Sequence, residues 1–235
     1  MPQSTDALTQ LGKNAFSKIL ADVQHKHLIV KCRNEYAQQA ENVGHVPVFR
    51  PASTSTSGPK RWTVNVDKWH SDYVDSNIYF EILCYGAFCL SVAGVTRLTT
   101  RRFILGTSFD RPSWAAYHEG IGQSLYAVIA RLDEKFPAQS HDFAVAHPVA
   151  AAKLAFIGYM QHFTNNEPQA DLLALTQRPP SPELLGAELF SNRLSHAIDP
   201  VLGELHGAFK TLWLPFAQQV IGTADDIVKT EFNTA

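Results

Sequence analysis

Apolar positions along the chain repeat mostly at helical spacing. Leu8, Leu11, Phe16, Ile19, Leu20 and Val23 give a helix within residues 5–24. His27 to Cys32 reads as a short β-like run, followed by a polar stretch from Asn34 to Gly44. Pro47 to Pro59, with Ala-Ser-Thr-Ser-Thr-Ser-Gly between prolines, has little apolar surface to bury and is expected to be a mobile linker. Trp62 to Asp67 alternates in the manner of a strand. Ile78 to Ala93 is apolar nearly all round and has no turn signal before Gly94, which predicts a buried helix.

The second half repeats the helical pattern. Trp114, Tyr117, Ile121, Leu125, Val128 and Leu132 form a stripe, with Ser113 as its expected N-cap and Pro137 beyond its end. Pro148 opens a helix over Val149 to Phe163 that stops at Thr164-Asn165-Asn166. Arg178-Pro179-Pro180 is a stiff break. Ser181, Pro182 and Glu183 read as the start of a helix reaching Ala197. A last helix over Pro200 to Ile221 is expected to bend or split at Pro215. The pattern predicts a mainly α protein of six or seven helices: an N-terminal arm or small lobe over residues 1–60, then a single helical core domain over 61–235.

Composition narrows the class. The chain has 235 residues, 45% hydrophobic and 18% charged, which is globular usage and enough for a large core. Cys32, Cys84 and Cys89 are odd in number, and none is in a CxxC pair. Buried free thiols in a reducing compartment fit them, and no zinc spacing is present. The polar stretch Met1 to Gln10 lacks the basic start and apolar run of a signal peptide, so an intracellular, non-secreted protein is expected. Ile78 to Val95 is barely long enough for a membrane span and contains Glu81, so a core segment and no membrane partner are expected.

The net charge of −2 is unevenly spread. Residues 1–111 carry 13 Lys+Arg against 9 Asp+Glu, and residues 112–235 carry 7 against 13. Neighbouring copies could attract through such halves, or the basic half could meet an anion.

Candidate chemistry is sparse. His118-Glu119 falls short of the HExxH zinc motif, because the fifth position is Gly122. It otherwise reads as a solvated polar face. His141-Asp142 resembles the metal-binding pair of phosphohydrolases, and His118, His147 or Asp199 could complete a site there. No P-loop or GxSxG pattern exists, and no cofactor is implied. The basic cluster says more. Arg97, Arg101, Arg102 and Arg111 fall within 15 residues, interleaved with Thr96, Thr99, Thr100, Thr107 and Ser108 and close to Phe103 and Phe109. Guanidinium forks and hydroxyls suit phosphate oxygens, and aromatic rings stack on bases. A solvated basic face with ordinary ion pairs is the alternative.

From this cluster onward the order of features resembles the coat proteins of flexuous filamentous plant viruses of the potexvirus-like group. The shared features are Arg101-Arg102, Phe109-Asp110-Arg111, the aromatic helix Trp114 to Leu132, Phe136-Pro137, Lys153-Leu154-Ala155-Phe156, Thr164-Asn165-Asn166, Arg178-Pro179 and Glu183. They span roughly residues 100–195, under half of the chain. The family's middle helix reads Phe-Asp-Phe-Phe-Asp, its first Asp pairing with an Arg near the RNA. This chain has Ile157 at that place and Gly158 next. The resemblance implies a self-assembling coat subunit that packages single-stranded RNA without sequence preference. It also implies homo-oligomeric helical assembly and a location in the virion or host cytoplasm. Arg97, Arg101, Arg102, Arg111 and Ser108 would form the RNA contacts. Alternatives of other classes are a metal-dependent hydrolase built on the His/Asp cluster and a regulatory helical binding protein.

Overall fold

The computed structural model describes residues 4–25, 28–42, 60–102, 106–133, 148–166, 182, 185–198 and 212–234. These form seven helices and one short hairpin: α1 Thr5–His25, α2 Leu28–Asn42, α3 Lys60–Leu98, β1 Thr99–Arg102, β2 Gly106–Phe109, α4 Arg111–Asp133, α5 Pro148–Asn166, α6 Ala187–Ile198 and α7 Leu214–Thr234. The mainly α class is as the spacing predicts.

The centre is α3. Its 18-residue stretch Ile78–Val95 is long and apolar enough to cross a membrane, and 83% of it is buried inside the fold. A helix apolar on all sides needs partners on all sides. Accordingly α3 touches each of the other six described helices. Each surrounding helix turns one stripe inward. The buried positions are Leu8, Leu11, Ala15, Phe16, Ile19 and Val23 on α1, and Leu28, Cys32 and Tyr36 on α2. On α4 they are Ala116, Tyr117, Ile121, Leu125 and Ile129, and on α7 Ala217, Val220, Ala224 and Val228. Apart from the adjacent Ala15–Phe16 and Ala116–Tyr117, they recur at three- or four-residue intervals, the surface pattern of one helical face.

The tightest joint is between α1 and α4. A Cβ built on Gly12 would lie 2.1 Å from the Tyr117 carbonyl oxygen, and one on Gly120 would lie 2.0 Å from the Thr9 carbonyl oxygen. Backbone meets backbone here, so only hydrogen fits at either position.

Several local readings change. Of the run His27 to Cys32, Leu28 to Cys32 is not β-like but opens α2, where Leu28 and Cys32 face inward at i, i+4, and His27 lies outside the described residues. Trp62 to Asp67 is not a strand but belongs to the 39-residue α3. In both cases a few β-branched or aromatic residues suggested extension, and the helical context overrode them. Residues 5–42, within the segment read as an arm or small lobe, supply two helices whose inward faces are part of the core. The Pro47 to Pro59 linker lies outside the described residues.

Helix starts also shift. α4 begins at Arg111 with Asp110 as its cap: Ser113 N donates to Asp110 Oδ1 at 3.3 Å, and Ser113 Oγ donates to Asp110 Oδ2 at 2.7 Å. Ser113 is therefore inside the first turn. α6 begins at Ala187, not Pro182. Gly186 precedes it with φ 65°, a left-handed conformation open to glycine, while Ala187 N donates to the Pro182 carbonyl at 2.9 Å. The expected break at Pro215 is present: Leu212 is helical, Trp213 is a turn and α7 starts at Leu214, while residues 200–211 lie outside the described residues. Pro215 is the second residue of α7, where its missing N–H leaves no hydrogen bond unmade, and α7 continues well past Ile221 to Thr234.

Candidate nucleic-acid interface

The basic cluster falls on one corner of the fold. α3 ends at Leu98, the chain turns back through β1 and β2, and α4 begins at Arg111. The strands are antiparallel in the register Thr99↔Phe109, Thr100↔Ser108, Arg101↔Thr107 and Arg102↔Gly106. This hairpin was not legible in the residue pattern. Thr-Thr-Arg-Arg and Gly-Thr-Ser-Phe are four residues each, too short for an alternation to stand out. The hairpin base is closed by Asp110 N donating to the Leu98 carbonyl at 3.2 Å. Arg97 in the last turn of α3 and Arg111 at the start of α4 flank that closure, and both are exposed. The backbone register thus gathers Arg97, Arg101, Arg102, Ser108 and Arg111 on a single unit.

The histidine reading is different. His118 is not on a solvated polar face. Its ring is half-buried, stacked between Trp114 at 4.8 Å and Phe156 at 4.8 Å, with Nδ1 3.1 Å from Ser91 Oγ. Trp114 Nε1 donates to the Ser91 carbonyl at 2.8 Å, and Ser91 Oγ donates to the Ala87 carbonyl at 3.0 Å. Burial lowers the His118 pKa from its ordinary value near 6.5, which favours the neutral ring. Ser91 is wholly buried, so the contact ties α4 to α3 and presents no nucleophile to a substrate. Glu119 accepts from Gln123 Nε2 at 2.9 Å on the same helix. No group of three or more His, Cys, Asp or Glu suited to a metal exists among the described residues. His141, Asp142, His147 and Asp199 lie outside them.

One charged site escaped the sequence reading. Glu81 is 6% exposed in the middle of α3. Arg193 of α6 reaches it with both arms of its fork, Nε to Oε2 at 2.9 Å and Nη2 to Oε1 at 2.8 Å. Tyr159 of α5 places its hydroxyl 3.5 Å from Oε2, and the guanidinium carbon lies 5.6 Å from the centre of its ring. Burial works against the Arg193 charge, yet hydrogen bonds and charge from Glu81 leave its pKa above the ordinary value. Tyr159 is also pushed up, by burial first and then by Glu81. The signal was present: a lone carboxylate in an apolar run demands a buried partner. What the spacing could not supply was which of 20 Lys and Arg that partner is.

Cys32, Cys84 and Cys89 are free and buried, and burial pushes all three thiols up, away from the reactive thiolate. Comparison with protein-family models, with curated proteins and with solved structures finds no match to this chain.

Proposed function

We propose that the chain is a structural subunit that binds single-stranded RNA without sequence preference and assembles with copies of itself, in the manner of a filamentous coat protein. One observation carries the reading. Arg97, Arg101, Arg102, Ser108 and Arg111 belong to one contiguous backbone unit, the β1–β2 hairpin and the helix ends that flank it. A short ribbon bearing guanidinium and hydroxyl groups suits a phosphate backbone, which is read by charge and not by base identity.

Two further features are in keeping with assembly. The excess of basic residues before position 112 and of acidic residues after it favours contact between unlike halves of neighbouring copies. On α5, Leu154 is 60% exposed and Ile157 is 50% exposed, one turn apart beside Gly158, whose Cβ position faces open space. Such a pair suits a neighbouring subunit. Ile157 stands where the coat-protein pattern has an RNA-proximal aspartate, so RNA contact here rests on the hairpin and not on α5.

The test is electron microscopy of native preparations together with the ratio of absorbance at 260 and 280 nm. Filaments, or particles with nucleic-acid absorbance, are expected. Monomers free of nucleic acid that also fail to bind oligouridylate would overturn the reading.

A further inference from the structure

The hairpin corner has a neighbour that the basic cluster does not include. Phe232 of α7 meets the Tyr117 ring edge-on, with centroids 5.4 Å apart at 66°. That ring lies against Gly94 of α3, where a Cβ would come 2.6 Å from Tyr117 Cε1. The last turns of α7 are thereby brought beside the end of α3, one turn before Arg97. Asp225, Lys229 and Phe232 recur at i, i+4 and i+7, one side of α7. Lys229 is 49% exposed on its side chain, forms an ion pair with Asp225, and has Asp226 Oδ1 at 4.0 Å. The Asp225 hydrogen bond holds the Lys229 ammonium above its ordinary pKa, and the Arg97 charge acts against it.

The last turns of α7, which carry Lys229, thus lie against the part of α3 that leads into Arg97 and the arginine-bearing hairpin, with Asp225 in contact with the Lys229 ammonium. A half-buried carboxylate so placed occupies the position that a phosphate oxygen would take. Two cations and two carboxylates leave this region near neutral, so a polyanion gains Lys229 only by displacing Asp225.

We infer that the RNA-binding surface continues from the hairpin onto α7, with Lys229 as a further phosphate contact and Asp225 as the intramolecular competitor that RNA displaces. The inference rests on the RNA-binding reading above. It makes the gain from Lys229 smaller than an unpaired lysine would give, and it ties RNA occupancy to the ion pairs of α7.

Fluorescence anisotropy with labelled oligouridylate, titrated at several salt concentrations, tests both. Each lost single-strand phosphate contact lowers the slope of log K against log salt by ~0.7. The full-length Lys229→Gln variant is expected to bind more weakly, with a slope shallower by ~0.7, and Lys229→Arg to bind as the wild type does. Asp225→Asn is expected to bind more tightly at every salt concentration. Arg101→Ala/Arg102→Ala is the reference, with an expected loss of ~1.4 in slope. Thermal melting by circular dichroism checks that each variant is folded. A wild-type chain that binds no oligouridylate overturns the RNA reading itself. If the wild type binds and the arginine double variant loses slope while Lys229→Gln does not, the hairpin reading stands and the α7 extension is overturned. Weaker binding by Asp225→Asn, or by Lys229→Arg as much as by Lys229→Gln, also overturns the extension, because the ion pair would then be supporting the site and not competing for it.

Discussion

α3 carries two charged sites, and they are built in opposite ways. At mid-helix, Glu81 is sealed under α5 and α6 and satisfied by both arms of Arg193, with side-chain exposures of 8% and 34%. At the C-terminal end, Arg97 stands at the surface, and the last turns of α7, packed near that end, carry a Lys229–Asp225 pair with side-chain exposures of 49% and 31%. The buried pair is geometrically fixed by the two-armed contact and has the Tyr159 hydroxyl as its third member. The exposed pair is held by a single-turn contact in water and can exchange one anion for another. The same ionic chemistry thus fastens the fold at one end of its reach and remains available at the other, and burial decides which.

The largest expected effect tests the first half of that contrast. Arg193→Ala would leave the Glu81 carboxylate buried without its counter-charge. Removing one member of a buried pair costs about 3–5 kcal/mol, and the partial exposure of Arg193 places this case near about 3 kcal/mol. For a chain of this size that corresponds to a fall of about 10 °C in melting temperature. The double variant Glu81→Met/Arg193→Met should recover most of the loss, since apolar replacement of a whole buried pair is often neutral. Urea denaturation measures both. A loss below about 1 kcal/mol for Arg193→Ala would mean that water reaches Glu81 and that the contrast between the two sites is false.

A second, smaller loss is expected at the joint that holds the first helix against α4. Gly120→Ala places a Cβ on the Thr9 carbonyl, and Gly12→Ala places one on the Tyr117 carbonyl. Neither clash can be relieved by a rotamer change, so α1 must move away from α4. Overpacking of this kind costs about 1–3 kcal/mol. Melting of each variant, with Gly158→Ala as a control because open space faces it, checks this. Wild-type stability in Gly120→Ala would show that α1 is loosely docked.

How much of this was legible follows from the range of each interaction. The apolar stripes of α1, α4 and α5 depend on neighbours three and four residues away, so the spacing of Leu8 to Val23 or Trp114 to Leu132 discloses them. The Glu81–Arg193 pair joins positions 112 apart, and no local pattern encodes that. The β1–β2 hairpin was hidden for another reason. Its strands are short and polar, and its basic residues drew attention as charge before they did as structure. His118 looked solvated because His-Glu is polar in sequence, yet the Trp114 and Phe156 rings that enclose it come from two different helices. The Arg97, Arg101, Arg102, Ser108 and Arg111 cluster was read as a unit because it is contiguous in sequence; Lys229 was missed because it arrives from the far end of the chain.

The His118 stack gives a pH-dependent effect. Burial lowers its pKa in the folded state, so below about pH 6.5 the unfolded chain takes up the proton more readily than the folded one. Stability therefore falls as pH drops from about 6.5 towards the lowered folded value, and this site contributes no slope above that window. His118→Phe keeps a ring between Trp114 and Phe156 and should flatten that part of the stability–pH curve. Parallel curves for wild type and variant between pH 7 and 5 would place His118 in water.

The smallest effect belongs to the exposed pair and completes the contrast. Lys229→Gln removes the partner of Asp225, but both groups remain hydrated. An i, i+4 pair at a helix surface contributes about 0.3–0.5 kcal/mol, and the contribution is screened by salt. The expected change in melting temperature is about 1–2 °C at low salt and vanishes near 1 M. The Arg193→Ala loss, by comparison, should survive salt, because ions do not penetrate to Glu81. A salt series run on both variants separates the two sites in one measurement. If the Lys229→Gln loss is as large as that of Arg193→Ala, or persists at high salt, the α7 pair fastens the fold, and Asp225 would not yield its lysine to another anion.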